Sequence, residues 1–357
     1  DGRDLHVSID AGLQYDTYTA LKHAMQENKA NAAAAVVLDV RSGEILALVN
    51  LPSYDPNDRS DRRGAGLRNR AMVDTFEPGS IMKPFTVALA LDSGKVKVDT
   101  MFDTGNGQYR FHGNTISDVS RNGRLNVADI VRRSSNIGMA MISERLTARE
   151  MWTTFSELGF GRAPEANFPG VAAGRLRPWE RWRPIEQATM AYGYGLSVSL
   201  LQMAQAYTVF ARDGDMVSLS LVRRSGAATS KQIFSPEVAR QVRAILEAAA
   251  GPDGAKLAQV KGYRVAGKSG TARKIVNGKY SKSDYRSSFV GFAPVSDPRI
   301  VVAVSIDEPR AGAYYGCRVA APVFADIVAS SLRRLGVQPD APLESLVAVG
   351  PNGETAR

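Results

Sequence analysis

Apolar positions recur at helical spacing near the start of the chain, at Leu13, Thr17, Ala20, Leu21 and Ala24, and predict a helix over residues 11–27. Two apolar runs follow, AAAVVLDV and EILALVN, joined by Arg41-Ser42-Gly43, and read as a β-hairpin. A polar connection over 52–70, rich in proline and arginine, separates them from Phe85, Val87, Ala88, Leu89 and Leu91, a buried helical run stopped by Gly94. From there to about residue 250 the pattern is mostly helical, including NVADIVRRSSNIGMAMISERL and LSVSLLQMAQAYTVFARDG, with Pro-rich loops over 163–184. Strand patterns return in YRVAGKSGTARKIV and SFVGFAPV, separated by a basic tip with the turn signal Asn277-Gly278, and again in RIVVAVSID. The helix APVFADIVASSLRRLG comes next, and residues 336–357 lack periodicity and read as a flexible tail.

Two early and three late strands thus flank a helical middle. Hairpin pairing makes one antiparallel sheet from both chain ends, covered by the terminal helices. The expectation is an α+β domain over 1–335 with a helical insertion at about 75–250. No internal repeat appears. No stretch reaches 18 uninterrupted apolar residues, and the chain opens directly on the strand-like LHVSID. It reads as an excised ectodomain or catalytic domain.

Composition narrows the chemistry. One cysteine, Cys317, allows no internal disulfide, and three scattered histidines, His6, His23 and His112, make a poor zinc site. No metal or other cofactor is expected. The net charge of +9 suits an anionic polymer or surface. The arginines are dispersed through loops without a nucleic-acid-reading motif, so nucleic acid is not an expected partner.

The stretch EPGSIMKP places Ser80 at an N-cap or first-turn position after the breakers Pro78 and Gly79. Lys83 follows three residues later, on the same helix face. Pro84 removes a backbone donor about one turn in and is expected to bend the helix. Alone, Ser-x-x-Lys is ordinary capping chemistry. Ser134-Ser135-Asn136 lies within a helical pattern, and Lys268-Ser269-Gly270-Thr271 on the first late strand. Each alone reads as a turn or a solvated edge. Together and in this order they resemble the motif set of penicillin-binding proteins and class A β-lactamases, which implies serine acyl transfer.

With YGYGLSVSLLQMAQAY and AYYGCRVAAPVFADI, these motifs resemble a class B penicillin-binding protein transpeptidase domain over about residues 5–335. The resemblance is strongest to the septal, cell-division (FtsI-like) branch of Gram-negative bacteria. It implies the penicillin-binding protein/serine β-lactamase-like fold, with a five-stranded antiparallel sheet, flanking helices and a helical subdomain. It also implies a D,D-transpeptidase that cross-links peptidoglycan stem peptides and is acylated by β-lactams. Ser80 would be the nucleophile and Lys83 its base, the lysine made neutral by burial and by the neighbouring cation Lys268. Ser134 would relay a proton and Asn136 hold the substrate peptide group. The Ser80 and Thr271 N–H groups would form the oxyanion hole, with Lys268, Ser269 and Thr271 receiving the substrate carboxylate. Gly270 lets substrate backbone approach closely. The family's membrane anchor, pedestal domain, septal glycosyltransferase of the SEDS type and other division partners would place the whole protein at the periplasmic face of the inner membrane.

Two other readings remain open here. A β-lactamase of class A would need a water-activating glutamate, and Glu180 and Glu186 in PWERWRPIEQ lack its pattern; class D enzymes usually carry Ser-x-Val where this chain has Ser-Ser-Asn. A non-catalytic β-lactam sensor is the other. In AGAYYGCRVAAPVF, Tyr314 and Tyr315 are candidates for an apolar wall beside the Lys-Ser-Gly strand, against simple packing on the sheet edge. Cys317 replaces the second of two family glycines. If that position needs a positive φ, cysteine there is strained.

Overall fold

Residues Ala32–Asp39 are buried at every position, which in a sheet requires cover on both faces. The computed structural model, which describes residues 2, 4–62 and 64–341, supplies that cover. The predicted first helix is α1 (Ala11–Glu27), begun by Asp10, whose carboxylate accepts from Leu13 N–H at 2.8 Å. β1 (Ala32–Asp39) and β2 (Ile45–Leu51) form the expected hairpin. The middle is built around α2 (Lys83–Asp92), α3 (Val127–Arg132), α4 (Asn136–Ser143), α5 (Leu200–Ala211) and α6 (Pro236–Ala250). Then come β3 (Ala266–Val276), β4 (Lys279–Ala293), β5 (Ile300–Asp307) and α7 (Gly316–Arg334).

The strand order is β3-β4-β5-β1-β2, antiparallel throughout, so the sheet is indeed assembled from both chain ends. Alternate residues of β1 serve two cores. Ala34, Val36 and Leu38 face the helical subdomain and α5, whereas Ala33, Ala35 and Val37 pack with α1 and α7. The sandwich explains why β1 and β5 read as continuous apolar runs instead of alternating ones.

Several expectations change. The helix read across 126–146 is two helices, because Ser134 takes φ +59 and breaks the run. Residues 101–126, read as part of the helical middle, contain two small ribbons, Met101–Asp103 with Arg124–Asn126 and Gln108–Phe111 with Asn114–Ser117. β4 starts at Lys279 rather than Ser288, and α7 at Gly316, which puts Pro322 inside the helix. Pro84 does not bend α2: it stands at the helix start, where its missing N–H has no helical partner to lose. Of the expected tail, Val337 and Asp340 are fastened to the loop at 263–264, with Tyr263 donating to the Val337 carbonyl at 2.7 Å and Asp340 accepting from Arg264 N–H at 2.7 Å. The flexibility expected beyond them falls on 342–357, outside the described residues. Among the described residues no helix is long and apolar enough to cross a membrane.

Tyr207 of α5 is fully buried against Phe85, and its hydroxyl donates to the Ile81 carbonyl at 2.8 Å. Tyr207→Phe keeps the ring and strands that carbonyl in the core. It should lower the unfolding free energy by about 1–3 kcal/mol, read as a lower denaturant midpoint at unchanged slope.

Candidate active site

Ser80 lies in a short 3₁₀ turn, Gly79–Met82, that leads into α2; no side chain caps this turn. It is therefore a first-turn residue, not an N-cap. Three remote segments close around it. Gly79 N–H donates to the Gly193 carbonyl at 3.0 Å. A Cβ on Gly193, whose φ is +91, would come within 2.1 Å of the Gly79 oxygen, so only glycine fits. On the other side, a Cβ at Gly270 would stand 3.0 Å from the Pro78 carbonyl. β3 thus presses directly on the turn, and Gly270 makes room first for the protein's own backbone.

Lys83 is fully buried. Its Nζ meets the Ser134 carbonyl at 2.5 Å, Asn136 Oδ1 at 2.8 Å and Ser134 Oγ at 3.1 Å, while the Ser134 and Ser80 hydroxyls are 2.9 Å apart. Burial, then the charge of Lys268, push the Lys83 amine well below the ordinary lysine range, and Asp118 opposes this. A neutral amine has two protons and one lone pair. In that form the two carbonyl oxygens would take the protons and the lone pair would be left for the Ser134 hydroxyl. Ser80 connects to Lys83 through Ser134, not directly.

The Ser134 turn is held by a residue that sequence reasoning missed. Ser135 caps α4, accepting from Gly138 N–H at 2.9 Å. Asp118, just past the 114–117 strand, accepts from Asn136 N–H at 2.6 Å, Ile137 N–H at 3.0 Å and the Ser135 hydroxyl at 2.6 Å. A carboxylate at a helix start is favourable. Only its position after the ribbon identifies it; no spacing in the sequence points to it.

Lys268 is also buried, donates to the Ser269 carbonyl at 3.1 Å, and is pushed down to about 8 by burial. The Thr271 carbonyl faces Gly79, where a Cβ would stand 3.3 Å from it. In an antiparallel strand a residue's own N–H and C=O point to the same side, so the Thr271 N–H points with its carbonyl toward the Ser80 turn. β3 is the sheet edge, which leaves these groups without a strand partner. The Thr271 hydroxyl accepts from Gly316 N–H at 2.9 Å, which leaves its own proton free to donate.

The match to the penicillin binding protein transpeptidase domain covers residues 33–329 and contains all three clustered motifs. The chain belongs to the penicillin-binding protein transpeptidase family. It is 44% identical over 98% of its length to the probable peptidoglycan D,D-transpeptidase PenA of Neisseria flavescens, covering 87% of that protein. It is 37% identical over 95% of its length to the peptidoglycan D,D-transpeptidase FtsI of Escherichia coli, of which it spans 57%. The apo transpeptidase domain of Burkholderia pseudomallei penicillin-binding protein 3 superposes with a TM-score of 0.88 at 49% identity, covering 96% of this chain and 100% of that one.

In this transpeptidase domain Tyr314 and Tyr315 precede α7, with the Tyr314 carbonyl held by the Ser287 hydroxyl at 2.5 Å. Tyr314 stacks on Tyr285 at 4.2 Å and on Tyr315 at 4.5 Å, so a third ring joins the two expected. Cys317 lies in the first turn of α7, outside the residues with positive φ, so the strain conditionally expected there is absent. Glu186 is occupied at the start of the 184–191 helix, accepting from Arg183 N–H at 2.8 Å and Arg177 at 2.7 Å; these donors hold its carboxyl at about 2.

The low proton affinity of Lys268 has a measurable consequence. Between its folded value of about 8 and the ordinary lysine value of 10.5, the unfolded chain binds the extra proton. Unfolding free energy therefore rises with pH in that window, and the penalty is fully present below it. Lys268→Met removes this term. From about pH 8 to 9.5, the difference in stability should shift toward the wild type; a pH-independent difference in urea titrations would contradict the assignment.

Proposed function

We propose that this domain is a peptidoglycan D,D-transpeptidase acting through an acyl-serine at Ser80. The observation that carries the reading is the hydrogen-bonded path Ser80 Oγ–Ser134 Oγ–Lys83 Nζ, ending on a buried amine whose proton affinity is pushed well below the ordinary lysine range. Ser80 attacks the carbonyl between the two terminal D-alanines of a stem peptide. Its proton passes to Ser134, whose own proton passes to Lys83. The oxyanion forms toward the Ser80 and Thr271 N–H groups, which need no reorganisation. As the C–N bond breaks, Lys83 returns the proton through Ser134 to the leaving D-alanine amine. An amino group of a neighbouring stem then attacks the acyl-serine, and the same path carries its proton back to Ser80. Asn136 holds the donor peptide, while Lys268, Ser269 and Thr271 receive its carboxylate beside Gly270. β-Lactams enter as substrate mimics and acylate the same serine.

Likeness to the Escherichia coli FtsI protein supports septal duty at the periplasmic face of the inner membrane, in a longer membrane-anchored chain. The partners are then a septal glycosyltransferase and other division proteins. The stacked rings of Tyr285, Tyr314 and Tyr315 serve as the wall for aryl side chains of bound drugs.

Penicillin should add its full mass to one peptide containing Ser80, and Ser80→Ala should abolish the adduct in intact-protein mass spectrometry. Lys83→Arg should acylate at least about 100-fold more slowly, because arginine keeps its proton. The wild-type adduct should last many minutes; rapid turnover of a chromogenic cephalosporin would favour a hydrolase instead.

The tyrosine wall predicts drug selectivity. Tyr315→Ala should slow acylation by aryl cephalosporins by about three- to tenfold, with a smaller effect on small penicillins. Equal losses for both drug classes, or none, would reject the wall.

A further inference from the structure

β3 and β4 run past the body of the sheet. β5 pairs with β4 only from Arg286 to Ala293, so residues 273–285 form a ribbon with no third strand. Such a ribbon is marginal in water without further support, and a register shift between Arg273 and Ile275 marks where it leaves the sheet. At its base, Lys274 Nζ pairs with Asp307 at 2.8 Å and with Glu308 at 2.6 Å. At its tip, just past the Asn277-Gly278 turn, the Tyr280 hydroxyl lies 3.0 and 3.2 Å from the two oxygens of Glu77. The Tyr280 ring also meets Tyr194 edge-on at 6.1 Å.

Glu77 stands three residues before Ser80 and is partly buried. Its carboxylate also accepts from Gly195 N–H at 2.7 Å, two residues after the Gly193 carbonyl that holds Gly79. One carboxylate therefore joins the ribbon tip, the 193–195 loop and the segment entering the Ser80 turn. No strand braces β3 on this side, because it is the sheet edge.

We propose that Glu77 and Tyr280 are positioning residues whose hydrogen bond holds β3 against the Ser80 turn, setting the spacing between Ser80 and the Thr271 N–H. The inference rests on the reading above, in which Ser80 is acylated and Thr271 helps receive the oxyanion. A small misplacement of reacting groups costs rate far more than affinity. Removing the tether should thus slow the chemical step and leave non-covalent drug binding nearly intact.

The test is stopped-flow acylation by a penicillin, resolved into a dissociation constant and a first-order rate, with thermal midpoints measured alongside. Tyr280→Phe should lower the first-order rate about five- to tenfold and change the dissociation constant less than about twofold. In a Glu77→Ala background, Tyr280→Phe should have no further effect, since both act through one bond. Glu77→Gln, which keeps an oxygen acceptor, should recover most of the rate lost in Glu77→Ala. A wild-type first-order rate in Tyr280→Phe, or the same loss with and without Glu77, overturns the tether alone. Failure of the wild type to acylate at Ser80 overturns the functional reading and the tether with it.

Discussion

A lysine amine held out of water, its proton affinity pushed well below the ordinary range by burial, is the constraint on which the rest of this structure depends. An ammonium in the interior carries a large desolvation cost, and the group responds by releasing its proton. That yields a base only if both remaining protons are accepted and the lone pair is aimed. The Ser134 carbonyl and Asn136 Oδ1 accept the protons, and the Ser134 hydroxyl stands at the third position. For one residue to offer both its carbonyl and its hydroxyl to the same amine, the chain must turn sharply. Ser134 does so at φ +59, a conformation that a serine adopts only under constraint from its surroundings. The surroundings are Asp118 and the Ser135 cap, which fasten the start of α4 immediately after the strained residue.

The same site shows why the sheet is built from both chain ends. The Ser80 turn belongs to the helical insertion, while the unpaired groups that face it belong to the edge of the sheet. Gly193 and Gly270 let two backbones approach the turn more closely than any side chain would allow. From behind, Tyr207 reaches across the core to the Ile81 carbonyl. These contacts join residues more than 100 apart in sequence, so the site forms only when both layers have docked. Stability of the interface and geometry of the site are one property here.

Much of this was legible in the chain. The apolar runs of β1 and β5, the Asn277-Gly278 turn and the first helix follow from local pattern, and the three motifs from their order. What escaped was set by tertiary contacts. Nothing local shows that NVADIVRRSSNIGMAM must break at Ser134, because its spacing is helical on both sides. The ribbons at 101–126 carry few apolar residues, so their alternation gives a faint signal. Asp118 and Tyr280 lie in polar text without spacing to mark them, and Glu77, although it opens EPGSIMKP, gives no sign there of its partners Gly195 and Tyr280. The ring of Tyr285 was likewise hidden until β4 proved to extend beyond SFVGFAPV.

On the proposed mechanism, transfer of the acyl group to an amine and its loss to water place different demands on the site. In the proposed reaction, attack by Ser80 would use an amine reached through Ser134, so the amine need not meet solvent. Release of the acyl group to water would need a second acceptor aimed at a water near Ser80. The carboxylates on the segments that build the site are already engaged. Asp118 takes the N–H groups of Asn136 and Ile137 and the Ser135 hydroxyl, Glu77 takes Gly195 N–H and Tyr280, and Glu186 takes Arg177 and Arg183. Each of these carboxylates accepts from at least one backbone N–H and at least one side chain. An incoming amine brings its own lone pair to the acyl carbon and is a far better nucleophile than neutral water. It needs only the Ser134–Lys83 path to take its surplus proton. If Ser80 is acylated as proposed, the arrangement that orders the cleft also favours transfer to an amine over hydrolysis.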